Sequence, residues 1–241
     1  MRVYIPPRTK TRMRTIQLLC EREIVSTPQH SKIINKVARE VLKPLGVKRK
    51  GQSRTWLDDN GWWITVIEFQ PSSWSKGTYL NIGINWQWYP KEHYAFDVGF
   101  REQGFVEYEN DQQFEEDARA FAELAKSKVL EIRESLSTPE SMKRYIISAF
   151  KEIGPTIWGE FHQGLACAVA RDKAQAISFL QSVVSNSHDT EWALELKDFS
   201  KNLINLIESG SDYHTYLDEV VSKSRELKKL ETTDIKIAAI A

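Results

Sequence analysis

The sequence predicts an α+β fold: an N-terminal helix on an antiparallel β-meander, followed by an all-helical C-terminal region. Three observations carry this expectation. Between Trp56 and Phe100, β-branched and aromatic residues alternate with polar ones and are punctuated by turn residues; six of the eight tryptophans lie here, which marks the stretch as the sheet. Before it, from Thr27 to Gly46, apolar residues recur at helical spacing. From Asp111 onward the period stays helical to the end. The expected organisation is a basic, loosely structured arm over 1–26, a helix plus antiparallel sheet over 27–110, and a helical region over 111–241, packed on the sheet.

In the arm, Pro6-Pro7 and scattered bases argue against a packed element. Thr27-Pro28 reads as a cap residue followed by proline at the first helical position. Ile33, Ile34, Val37, Val41 and Leu42 then form one stripe, and Pro44 and Gly46 end the helix. Ser53–Leu57 reads as a short strand, and Asp58-Asp59-Asn60-Gly61 as a hairpin turn, because Asn-Gly tolerates positive φ. Trp62–Gln70 is the next strand. In Thr78–Trp88, Leu80, Ile82, Ile84 and Trp86 point one way; Tyr79, Asn81, Gly83 and Asn85 point the other. Tyr94–Phe100 reads as a further strand, with Phe105–Tyr108 a short extension, which makes about four strands. Helices follow, opened at Asp111, Thr138-Pro139, Asp172 and Asp189, with Gly154-Pro155 and Gly210 as stops. Small residues around Gly164 and Ala176 suit a close helical hairpin.

Composition narrows the function classes. Hydrophobic residues at 41% and charged residues at 27% describe a globular chain, and a net charge of zero gives no overall field toward nucleic acid or membranes. The charge is unevenly placed, however. Between Ser31 and Asn60, eight bases face only Glu40, Asp58 and Asp59, while acids outnumber bases from Asp111 to Glu140. Cys20 and Cys167 have no partner spacing for a disulfide framework or a zinc site, so a reducing cytoplasm fits. The basic N-terminus is followed by no apolar stretch of signal-peptide length, and no run approaches the ~20 apolar residues of a membrane span. No cofactor and no membrane partner are expected.

The segment from Ile33 to about Phe100 resembles a bacterial domain-of-unknown-function family, number 4304. The residues that carry the resemblance are Val41-Leu42-Lys43-Pro44-Leu45-Gly46 into Lys48-Arg49-Lys50-Gly51, then Trp62–Ile67, Phe69-Gln70, Ser73-Trp74-Ser75 and Leu80-Asn81-Ile82-Gly83-Ile84. Val47 stands where that family's turn carries an aromatic residue. The resemblance implies an α+β cytoplasmic protein and implies no substrate.

Catalytic constellations are thin. Asp59 ahead of Glu68-Phe69-Gln70 has the spacing of a metal-dependent nuclease site. If Asp59 sits in a hairpin turn, though, a strand's length of ~25–30 Å separates it from Glu68, at ~3.3 Å per residue. The acids Glu102, Glu107, Glu109, Asp111, Glu115, Glu116 and Asp117 lack the spacing and glycine of a calcium loop. The five histidines are scattered, and His162 and Cys167 fall on different sides of one helix. No catalytic residue and no metal ligand is assigned. The leading expectation is a non-enzymatic, protein-binding module of regulatory or immunity type, using Trp74, Tyr79, Asn81, Asn85 and Gln87, since aromatic residues anchor interfaces. The alternative is a nucleic-acid-binding protein or nuclease that contacts phosphates through Lys32, Lys36, Lys48, Arg49, Lys50 and Arg54.

Overall fold

A computed structural model describes residues 27–102 and 104–240 of the chain; the expected basic arm, 1–26, lies outside them. The first helix, α1 (Gln29–Leu42), buries Ile33, Ile34, Val37, Ala38, Val41 and Leu42. A single 3-10 turn over Lys43–Leu45 closes it, with Gly46 at φ +84°. The expected Thr27 cap is not made. Pro28 occupies the cap position, no side chain caps the helix, and the Pro28 carbonyl accepts from the Ser31 and Lys32 N–H groups at 2.9 and 3.1 Å.

The sheet is fully antiparallel. It comprises β1 (Lys48–Arg49), β2 (Thr55–Asp59), β3 (Trp63–Gln70), β4 (Gly77–Trp86), β5 (Val98–Arg101) and β6 (Val106–Glu107). The first five lie in sequence order, and β6 pairs with the start of β4. The expected meander is present, and two two-residue strands extend it. The hairpin turn falls later than the sequence suggests. Asp58 and Asp59 still belong to β2, paired with Thr65 and Ile64, and the chain turns through Asn60, Gly61 and Trp62. Gly61, at φ +84°, supplies the positive φ. The expected strand from Tyr94 shrinks to Val98–Arg101, because the carboxylate of Asp97 bends back to bind β4 and holds the preceding residues off the strand path.

Register assigns the faces. Trp56, Asp58, Ile67, Phe69, Leu80, Ile82, Ile84, Trp86 and Val98 share the inner face; Leu57, Asp59, Ile64, Val66, Glu68, Tyr79, Asn81, Asn85 and Arg101 share the outer one. The inner face is covered by α1 and by α2 (Asp111–Ser135), so that one continuous core runs from Ile33 through the strands to Ile237. Full burial of a side chain such as Phe69 or Leu80 stabilises the fold by ~1.5–3 kcal/mol. The uneven charge has a structural use where these helices meet. Lys36 pairs with Glu115 at 2.8 Å, a base of the front with an acid of the middle, and Arg119 pairs with Glu40 at 2.7 Å in the opposite sense.

The remaining helices are α3 (Pro139–Ile153), α4 (Ile157–Val169), α5 (Lys173–Ser185), α6 (Glu191–Glu208), α7 (Tyr213–Leu227) and α8 (Ile237–Ile240). Thr138 caps α3 in a reciprocal box with Ser141; Asp172 caps α5 and Asp212 caps α7. The expected Asp189 cap is not formed. Thr190 stands at that position without a side-chain bond. The α4–α5 hairpin is close because Gly164 has no side chain: an added Cβ would lie 2.8 Å from Leu180 Cγ. No helix among the described residues is long and apolar enough to cross a membrane.

Candidate functional site

The outer sheet face has two halves, and among the described residues only one is open. The segment from Gln87 to Asp97 folds back over the half nearest the β2–β3 turn. There Tyr94 and Leu230 cover Leu57, Ile64 and Val66. Phe96 lies on Gly83, and a Cβ at residue 83 would sit 2.0 Å from its ring. Asp97 anchors this cover. Its carboxylate accepts from the Trp86 N–H at 2.8 Å, from Asn85 Nδ2 at 3.1 Å and from Lys91 Nζ at 2.9 Å. The Lys91 ammonium also rests 4.1 Å from the Trp158 ring centre.

His162 of α4 completes this buried polar group. Its Nδ1 accepts from the Trp88 indole N–H at 3.0 Å, which places the proton of the neutral ring on Nε2, 3.8 Å from Asp97 Oδ1. Burial holds the imidazole down at about 4, with the Asp97 charge opposing. Helix α7 and the residue that closes it add three side chains. Ser224 donates to Gln87 Oε1 at 3.2 Å, and Lys228 donates to the Lys91 carbonyl at 2.7 Å, its pKa lowered to about 8 by burial. Arg225 grips both carboxylate oxygens of Asp59 at 2.6 and 2.9 Å and the carbonyls of Gly61 and Glu231. Asp58, on the other face, is held by Arg133 of α2. Adjacent aspartates thus tie the hairpin to two different helices.

The other half of the face carries a polar lattice. Asn81 donates to Glu68 at 3.0 Å and to Gln70 at 2.9 Å, while Arg101 donates to Asn81 at 3.2 Å and to Gln70 at 2.7 Å. The Arg101 guanidinium lies 4.0 Å over Tyr79, and Tyr79 packs on Phe105 at 4.9 Å. Beside them the loop 71–76 joins β3 to β4. The Ser72 hydroxyl holds it by accepting from the Trp74 and Ser75 N–H groups at 3.1 and 3.4 Å. Trp74 stands on that loop 96% exposed.

The expected partner surface is therefore corrected. Trp74, Tyr79 and Asn81 lie together at the open half. Asn85 and Gln87 do not: both are buried, bonded to Asp97, to each other and to Ser224, because the 87–97 segment closes over them. Sequence reading missed Glu68, Gln70 and Arg101 as parts of this surface, although their parity with Asn81 along the strands was available. It had no signal for the Asp97–His162 group, whose members converge only in three dimensions.

The expected phosphate contacts do not form one free patch. Lys36 pairs with Glu115, and Lys48 with Glu231 at 2.8 Å. Arg49 bonds the carbonyls of Gln52 and Ser53, Lys50 lies over Tyr94, and Arg54 bonds Ser31 and Gly77. Lys32 is exposed on α1. The nuclease pair is also separated. Asp59 faces Ile64 and Glu68 faces Thr55, so four residues, ~13 Å, divide them along the hairpin. This is shorter than the separation expected from a turn at Asp59, and it is still too wide for two ligands of one Mg²⁺ at ~2.1 Å each. Among the described residues no group of three or more His, Cys, Asp or Glu side chains is placed to hold a metal ion. Cys167 is buried, and burial pushes its thiol up to about 12.

Neither a curated protein nor a solved structure shows detectable similarity to the chain. A family model does match, from Ala38 through the sheet to Glu152 near the end of α3. The matched segment thus takes in the open half of the outer face and the two helices that follow β6. The expected resemblance is thereby shown and carried on to Glu152: residues 38–152 match the model of the family described as a domain of unknown function, DUF4304.

Proposed function

We propose that the protein is a protein-interaction module of regulatory or immunity type, acting in the cytoplasm by binding rather than by catalysis. The observation that carries this reading is Trp74, which projects into water from a loop ordered by Ser72 at the end of the open outer face. A tryptophan kept in water adds nothing to the core, while in an interface it is among the strongest anchors, worth ~2 kcal/mol or more. The lattice of Glu68, Gln70, Asn81 and Arg101 gives the rim of such a contact, with its donors and acceptors already in place.

A photo-reactive amino acid placed at 74 or at 79 is expected to cross-link one discrete partner in the host cell. The same group at Leu130, exposed on α2, is expected to give none. No discrete adduct from 74 or 79, or identical adducts from all three positions, would sink the reading.

Nucleic acid draws less support, because most of the basic side chains proposed for phosphates are engaged within the protein. Salt-sensitive binding of labelled single- or double-stranded nucleic acid, or its cleavage with Mg²⁺, would restore that alternative.

A further inference from the structure

The sheet has two edges, and they are guarded differently. Strand β1 is two residues long and carries Lys48 and Arg49, charges that discourage pairing. Strand β5, at the other edge, pairs only with β4 among the described residues. The bond from the Glu102 N–H to the Leu80 carbonyl, 3.0 Å, sets the alternation along this pair. Residues 98, 100 and 102 turn their backbone groups toward β4, while Gly99 and Arg101 turn theirs outward. Phe100 is half exposed at this edge.

Beneath the edge, on the inner side of the sheet, lies a groove of about 240 Å³ between β5 and helices α2 and α3. Its charged lining is Glu102, Glu131 and Glu152 against one base, Lys128. Lys128 is already paired with Glu131 at 2.9 Å. Three acids and one base leave a net charge of −2 in the groove. Tyr145 and Ser148 add hydroxyl groups to its wall.

We propose that the β5 edge and this acidic groove take an extended, lysine- or arginine-bearing segment of another protein as an added strand. The outward N–H and C=O groups of Gly99 and Arg101 supply the ladder, as in other strand-addition sites. Alternate side chains of the added strand point to one face, so every second residue enters the groove. An apolar residue meets Phe100, and a cation meets Glu102 and Glu152. The site lies on the side of the sheet opposite the open lattice, and Trp74 takes no part in it.

The test uses the full chain and two labelled octapeptides in which every second residue is threonine; the positions between are leucine and lysine by turns in one, leucine and glutamate by turns in the other. The lysine peptide is expected to bind about tenfold or more tightly than the glutamate peptide, to weaken with salt, and to slow hydrogen exchange at the Gly99 and Arg101 amides. Glu152→Lys, a change on an exposed side chain, is expected to weaken it by about tenfold, and Trp74→Ala to leave it unchanged. Equal binding of the two peptides, no binding at low salt, or binding without protection of those two amides overturns the inference. If Trp74→Ala abolishes binding, the peptide sits on the open outer face; the edge proposal then fails while the interaction-module reading stands.

Discussion

The two halves of the outer sheet face share strands β3 and β4, yet among the described residues one is sealed and the other bare. In the sealed half, charge is under cover: the Asp97 side chain is 5% exposed and is met by Lys91, Asn85, a backbone N–H and His162. In the bare half, Glu68, Gln70, Asn81 and Arg101 satisfy one another on the surface of the same ladder. The difference shows where a polar side chain supports the fold and where it is available for binding. Buried, its partners cannot be replaced by water; exposed, they can.

That contrast breaks most sharply at Asp97. Asp97→Ala leaves the Lys91 ammonium without its carboxylate and strips partners from Asn85 and the Trp86 N–H. A loss of about 3–5 kcal/mol is expected in chemical denaturation. A loss under ~1 kcal/mol would mean that water reaches the site.

Acid sharpens the same contrast. Folded His162 titrates at about 4, below its ordinary 6.5, so the unfolded chain takes up its proton first as pH falls. This contribution leaves stability undiminished above about pH 6.5 and erodes it between there and about pH 4. The full loss is ~3 kcal/mol at ~1.4 kcal/mol per pH unit. His162→Gln is expected to flatten that fall in a series of urea midpoints; an unchanged slope would place the acid sensitivity elsewhere.

Gly83→Ala tests the cover itself. The added methyl meets the Phe96 ring, and a loss of ~1–3 kcal/mol is expected, with faster amide exchange at Ile64 and Val66 beneath the segment. The smallest effect belongs to the bare half. Asn81→Ala removes bonds to Glu68, Gln70 and Arg101, and water replaces them, so a change under ~1 kcal/mol is expected in the same denaturation series.

Much of the fold was legible along the chain. The stripe of α1, the alternation of β4, the Asn60-Gly61 signal and the caps at Thr138 and Asp172 rest on local preferences, which act within a few residues. The errors fall where a distant residue overrides a local one. Tyr94 and Phe96 alternate like a strand but leave the sheet, because Asp97 finds its partners on β4 and Leu57, Ile64 and Val66 need a cover. Asp58-Asp59 resembles a turn and is instead the end of a strand, because Arg133 and Arg225 each supply a counter-charge from a helix far along the chain. The surface was half legible for the same reason. Alternation placed Tyr79, Asn81 and Asn85 on one face, and nothing local revealed that Asn85 and Gln87 would be sealed.

Fold class, the order of the elements and the sharing of faces could all be read along the chain, because hydrophobic periodicity and turn chemistry are short-range. Which half of the outer face stays open among the described residues, and which charges are spent on one another, emerged from long-range packing. Those outcomes depend on Asp97 meeting His162, Asp59 meeting Arg225 and Lys36 meeting Glu115. Each is a contact between residues far apart in the chain, so it forms only when packing brings the elements together, and for the buried Asp97 group the excluded water strengthens it further.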